Sequence, residues 1–105
     1  MAQVIWTEPA LQDLNEIAEY IALVKVSAAK KLIQQIFSRT ERLEKFPKSG
    51  RKVPELQDLR YLEIIVNHCR IFYRAEKDKI YILYVMRSER MLRNYLLDDR
   101  ANESS

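Results

Sequence analysis

Apolar residues keep one spacing from Leu11 to Phe46-Pro47 and another from Arg60 to Met86, and that change of period separates a helical part of the chain from a sheet part. Leu11, Leu14, Ile17, Ala18 and Ile21 recur at steps of three and four, with Gln12, Asp13, Asn15, Glu16 and Glu19 filling the other side. That pattern predicts a helix with one buried stripe and one wet, acidic face. Thr7 supplies an N-cap oxygen, and Pro9 fits a first turn where no amide donor is needed. The pattern breaks near Lys25-Val26. A second helix follows, capped by Ser27, with Ala29, Leu32, Ile33, Ile36, Phe37 and Leu43 on its apolar side. Pro47 ends it by removing an amide and by disfavouring helical geometry at Phe46. The short connection makes the two helices an antiparallel hairpin.

The remaining segments read as sheet. Gln3-Val4-Ile5-Trp6 is short, β-branched and aromatic, as an opening strand is. The stretch from Lys48 to Pro54, with the chain's one glycine and a proline, is a loop leaving the helical half. From Arg60 to Val66, Leu62, Ile64 and Val66 alternate with Tyr61, Glu63 and Ile65; strands at Cys69 to Ala75 and Ile80 to Met86 follow, joined by the polar turn Glu76-Lys77-Asp78-Lys79. Glu89 to Leu97 places Met91, Leu92, Tyr95 and Leu96 on one face of a short terminal helix. The expected fold is therefore α+β in the order β-α-α-β-β-β: a strand, a helical hairpin, a three-stranded antiparallel meander and a short C-terminal helix. Residues 1–97 form one domain in this reading, and 98–105, with little to bury, form a flexible C-terminal tail.

Composition narrows the function classes. One cysteine and one histidine cannot make an intrachain disulfide or fill a structural zinc site, so neither a metal nor another cofactor is expected. Glu8, Asp13 and Glu16 interrupt any apolar leader, and no run reaches the ~20 residues of a membrane span. A cytoplasmic protein without membrane contact is the expectation. The net charge of +3 says little by itself, but residues 45 to 74 carry seven basic against three acidic side chains, whereas the flanking segments are near balance.

Several motifs stand in a fixed order along the chain: Val4-Ile5-Trp6-Thr7-Glu8-Pro9-Ala10 with Asp13-Leu14 and Ile17, then Tyr20-Ile21, Phe46-Pro47, Ser49-Gly50-Arg51 and Val53-Pro54-Glu55-Leu56. Leu59-Arg60, Cys69-Arg70-Ile71-Phe72-Tyr73-Arg74 and Ile82-Leu83-Tyr84-Val85 before Arg87 complete the series. From about residue 3 to about residue 93, this series resembles the RelE/ParE superfamily of toxins from type II toxin-antitoxin systems. Gly50-Arg51-Lys52-Val53-Pro54-Glu55 and the long helical hairpin are more similar to the ParE branch. The ParE resemblance implies a DNA gyrase inhibitor that acts by binding, and a cognate antitoxin, ParD-like or another small acidic protein, whose disordered tail folds onto the toxin. Arg51, Arg60, Arg70, Arg87 and Arg90 are the expected target contacts, on a sheet face left open by the hairpin. The face of Met91, Leu92, Tyr95 and Leu96 either closes the core or, if exposed, supplies the expected antitoxin contacts by a helix-in-groove mode.

The RelE branch implies the alternative, an endoribonuclease that cuts mRNA on the ribosome. Cleavage by 2′-hydroxyl attack needs a base, a cation for the phosphorane charge and an acid for the leaving oxygen. Glu55 is the candidate base, Arg70 and Arg90 are the cations, and Tyr95 is the acid. Tyr95 lies one residue beyond the position the resemblance requires, which Asn94 occupies. Basic side chains are also fewer than a ribosome-bound nuclease favours.

Overall fold

A computed structural model describes residues 1–88, 92 and 94–104, and of residues 94–96, 103 and 104 the backbone only. Strand β1 (Gln3–Trp6) leads into helix α1 (Glu8–Ala22), which Thr7 caps by accepting the Ala10 N–H while Pro sits in the first turn. Thr7 also donates its hydroxyl to the Ile82 carbonyl at 2.7 Å, tying the helix start to the sheet. Helix α2 (Val26–Glu41) begins one residue before the expected Ser27 cap: Lys25 takes the extended cap position and no side chain bonds there. A 3-10 turn over Arg42–Glu44 closes it ahead of Phe46-Pro47.

The meander is present as strands β3 (Tyr61–Val66), β4 (Cys69–Glu76) and β5 (Lys79–Arg87), paired antiparallel. Two further strands extend it to the order β1-β5-β4-β3-β2: β1 joins β5 in parallel, and a two-residue β2 (Arg51–Lys52) pairs with β3. Both hairpin loops hold two residues, and each begins at a positive φ, 56° at Asn67 and 42° at Lys77. Asn tolerates that region through its short polar side chain, whereas Lys has no such compensation.

Between Phe72 and Tyr73 the register with β5 shifts, Phe72 facing Tyr84 and Tyr73 facing Ile82, so Leu83 is an extra residue on β5. The bulge reverses the alternation. Ile80, Ile82 and Val85 pack with Leu14, Leu32 and Ile36 under the helical hairpin, while Leu83, Tyr84 and Met86 pack on the opposite face.

That opposite face is covered, contrary to the open face expected above. Val53, Tyr61, Phe72, Leu83, Met86, Leu92, Leu97 and Ala101 form a second core there. The cover is helix α3, which runs Asn94–Ser104 and so reaches well past Leu97. The segment expected as a flexible tail from Asp98 is instead helical, because Leu97 and Ala101 are buried and Arg100 is anchored to α1. Part of the terminal helix expected from Glu89 lies outside the described residues. Among those described, no helix is long and apolar enough to cross a membrane.

Candidate functional site

The second face is built around an arginine. Antiparallel pairing sets Ile65 opposite Arg70 and Glu63 opposite Phe72, which makes Glu63 and Arg70 diagonal neighbours on one face of the sheet. Arg70 Nε donates to Glu63 Oε1 at 3.1 Å and Nη2 to Glu63 Oε2 at 2.8 Å. Its outer edge donates to both oxygens of Glu55, at 2.7 and 2.6 Å, because the loop after Val53 returns across the strand. The guanidinium also stacks on Phe72, 4.8 Å from the ring centre. Strand β2 adds Arg51 opposite Glu63, and Arg51 Nη2 donates to Glu63 Oε1 at 2.9 Å. Among the described residues, two carboxylates and two guanidinium groups thus form a charge-balanced network with Glu63 fully buried at its centre.

Closure has electrostatic consequences. Hydrogen bonds from Arg70, seconded by the Leu92 N–H at 3.0 Å, hold the Glu55 carboxyl down at about 2 against the opposing effect of burial. Its partner Arg70 is pushed above the usual arginine range, chiefly by Glu55. A carboxylate so acidic, with both oxygens occupied, is a weak proton acceptor at neutral pH. Arg70, only 5% exposed, has little surface left for an incoming phosphate.

Sequence reasoning placed Arg51, Arg60, Arg70, Arg87 and Arg90 in one accessible basic surface; the fold disperses those of them it describes. Arg51 and Arg70 meet at Glu63, Arg60 forks onto Asp58 at 2.6–3.1 Å, and Arg87 lies over the Tyr20 ring, 5.5 Å from its centre. Arg90 lies outside the described residues. Of the ribonuclease set, Glu55 and Arg70 do come together, but as an ion pair; the Tyr95 side chain is outside the described part. Leu92, expected on an antitoxin groove, is buried in the second core with its amide on Glu55, so it cannot line an open groove. Met91 and the side chain of Leu96 are not among the described residues. No group of three or more His, Cys, Asp or Glu among those described is arranged to hold a metal ion.

Sequence reasoning passed over two contributors. Glu63 is legible as an acid inside an otherwise apolar strand, but nothing local to that strand shows that a second layer covers its face. Tyr73 is wholly buried; its hydroxyl donates to Pro47 O at 2.8 Å and accepts the Gly50 N–H at 2.9 Å, pinning the loop that delivers Arg51. Gly50 has negative φ, so space is what requires glycine: a Cβ there would lie 2.6 Å from the Tyr73 hydroxyl and 2.8 Å from Glu63 O.

On the other side, α1, the start of α2 and the ends of β4 and β5 enclose a groove of about 670 Å³, lined by Ile17, Tyr20, Ile21, His68, Met86 and Arg87 among others. The nearby turn between α1 and α2 exposes Leu23, Val24 and Val26.

Residues 4–92 match the family described as the ParE toxin of the type II toxin-antitoxin system, parDE. Over 76 residues the chain is 32% identical to Toxin RelE2 of Caulobacter vibrioides, an overlap of 72% of this chain and 84% of the relative. The solved structure of a chromosomal ParDE toxin-antitoxin system from P. aeruginosa shares the fold, with a TM-score of 0.69 at 23% identity, over 83% of this chain and 96% of that one.

Proposed function

Since this chain belongs to the ParE toxin family of type II toxin-antitoxin systems, we propose that it inhibits DNA gyrase by binding, and that a cognate antitoxin neutralises it in the cytoplasm. The observation that supports a binding mechanism over a catalytic one is the closed Glu55–Arg70–Glu63 network. RNA cleavage needs an available base beside an available cation, and here the candidates neutralise each other. The network acts as a scaffold that holds the 53–56 loop against the sheet. Target contact then falls to exposed cations such as Arg51 and Arg87, each of which also has a local partner.

The antitoxin seat we favour is the groove beside Tyr20 together with the apolar hairpin turn. Tyr20, Leu23, Val24 and Val26 are 63%, 83%, 93% and 57% exposed, a concentration of uncovered apolar surface that monomeric proteins avoid unless a partner covers it. An amphipathic antitoxin helix fits such a surface.

The test is supercoiling by purified gyrase with added toxin. Inhibition, relieved by antitoxin and retained by Glu55→Gln, is the expected result; full supercoiling at excess folded toxin contradicts the gyrase target. The ribosome-dependent nuclease reading makes the opposite demand, that message be cut in a translation reaction and that Glu55→Gln abolish the cuts.

A further inference from the structure

The ion pairs redistribute the chain's positive charge. Of the seven basic residues between 45 and 74, the four arginines at 51, 60, 70 and 74 all pair with carboxylates, whereas Lys45, Lys48 and Lys52 enter no ion pair among the described residues. The same holds for Lys77 and Lys79 at the β4–β5 turn. Two of these lysines, Lys48 and Lys77, share an open depression of about 590 Å³ with Phe46, Pro47, Ser49 and Ala75, and none of its lining residues is acidic.

Phe46 is 58% exposed on this rim, although nothing about its segment is loose. Its N–H bonds to Arg42 O at 3.1 Å, its carbonyl accepts the Ser49 N–H at 3.1 Å, and the next carbonyl, Pro47 O, takes the buried Tyr73 hydroxyl. The backbone that carries the ring is held at three points, while more than half of the side chain faces water. Across the depression, Lys77 sits at φ 42° as the first residue of a two-residue turn, a conformation that glycine would adopt without strain. The exposed ring and the strained turn flank the same hollow.

We propose that this depression binds single-stranded nucleic acid, an unstacked base lying on Phe46 and the adjoining phosphates meeting Lys48 and Lys77. An aromatic face beside unpaired ammonium groups is the chemistry of sequence-tolerant strand binding: the ring accepts any base, and the cations follow the backbone. A peptide partner matches less well, since an acidic peptide has no need of the ring and an apolar one none of the lysines. The site stands apart from the gyrase reading, because oligonucleotide binding and supercoiling are independent measurements.

The test is fluorescence anisotropy of the full chain with labelled oligo(dT) and oligo(rU) of about 15 nucleotides across a salt series. Wild type is expected to bind at low salt. Phe46→Ala weakens binding about ten-fold or more, as the loss of one stacking platform does. Lys77→Gly, which relaxes the turn while removing the charge, flattens the salt dependence by roughly one phosphate contact without lowering Tm. Preference for DNA or for RNA identifies the source of the strand. Failure of wild type to bind either strand overturns the proposal, as does binding that both variants retain in full.

Discussion

Removing the Glu63 carboxylate leaves Arg70, in a place water scarcely reaches, with Glu55 as its carboxylate partner among the described residues. Truncating one member of a buried ion network costs more than the network contributes, because the surviving charge stays desolvated. Glu63→Ala should therefore destabilise the protein by about 3 kcal/mol in urea unfolding. Arg51 bonds to the same Glu63 oxygen, but its side chain is 56% exposed. Water and salt replace it, so Arg51→Ala should cost less than about 1 kcal/mol. Equal losses for the two variants would mean that the network is not organised around Glu63.

At the scale of elements, the described grip of helix α3 on the body is part apolar and part polar. Its described side chains bury chiefly at Leu97 and Ala101, and Arg100 and Asp98 add polar bonds. Arg100 donates to both Asp13 oxygens on α1 and to Leu83 O on the bulge at 3.1 Å, and stacks over Tyr84 at 4.2 Å. Tyr61 donates its hydroxyl to Asp98, and burial with that bond pushes Tyr61 up to about 12. Asp13 is raised above the ordinary carboxylate range mainly by burial, in spite of Arg100 and of the Val85 N–H it accepts. Arg100→Ala should then free α3 locally before the sheet unfolds. Amide exchange ought to speed up across residues 94–104 and leave the β4 amides protected; uniform acceleration through β4 would show instead that α3 and the sheet open as one unit.

For the whole molecule the titration of these groups sets the acid limb of stability. Glu55 is depressed to about 2, so its contribution is complete above its unfolded value near 4.5 and is lost as pH falls from there through 2. Asp13 is shifted the other way and opposes that trend. Thermal unfolding at constant ionic strength should show Tm falling between pH 4.5 and 2, with a shallower fall in Glu55→Gln; parallel profiles would remove Glu55 from the account. The order of elements apart from the two-residue β2, both hairpins and the helix cap at Thr7 could be read directly from residue order, because apolar period, capping oxygens and turn residues act over a few positions. The second layer could not be read that way. Asp98 to Ser104 is polar, and it is helical here because Leu97, Ala101 and Arg100 find partners on β5 and α1, more than ten residues away in sequence. The roles of the arginines depended on the same distant pairing. Composition placed positive charge in the middle of the chain, but strand register and the returning 53–56 loop brought Glu55 and Glu63 to Arg70 and left the lysines in water. Local chemistry in the sequence determined which helices and strands form; only tertiary packing decided which charges are cancelled, since desolvation and ion pairing depend on neighbours that the chain supplies from afar.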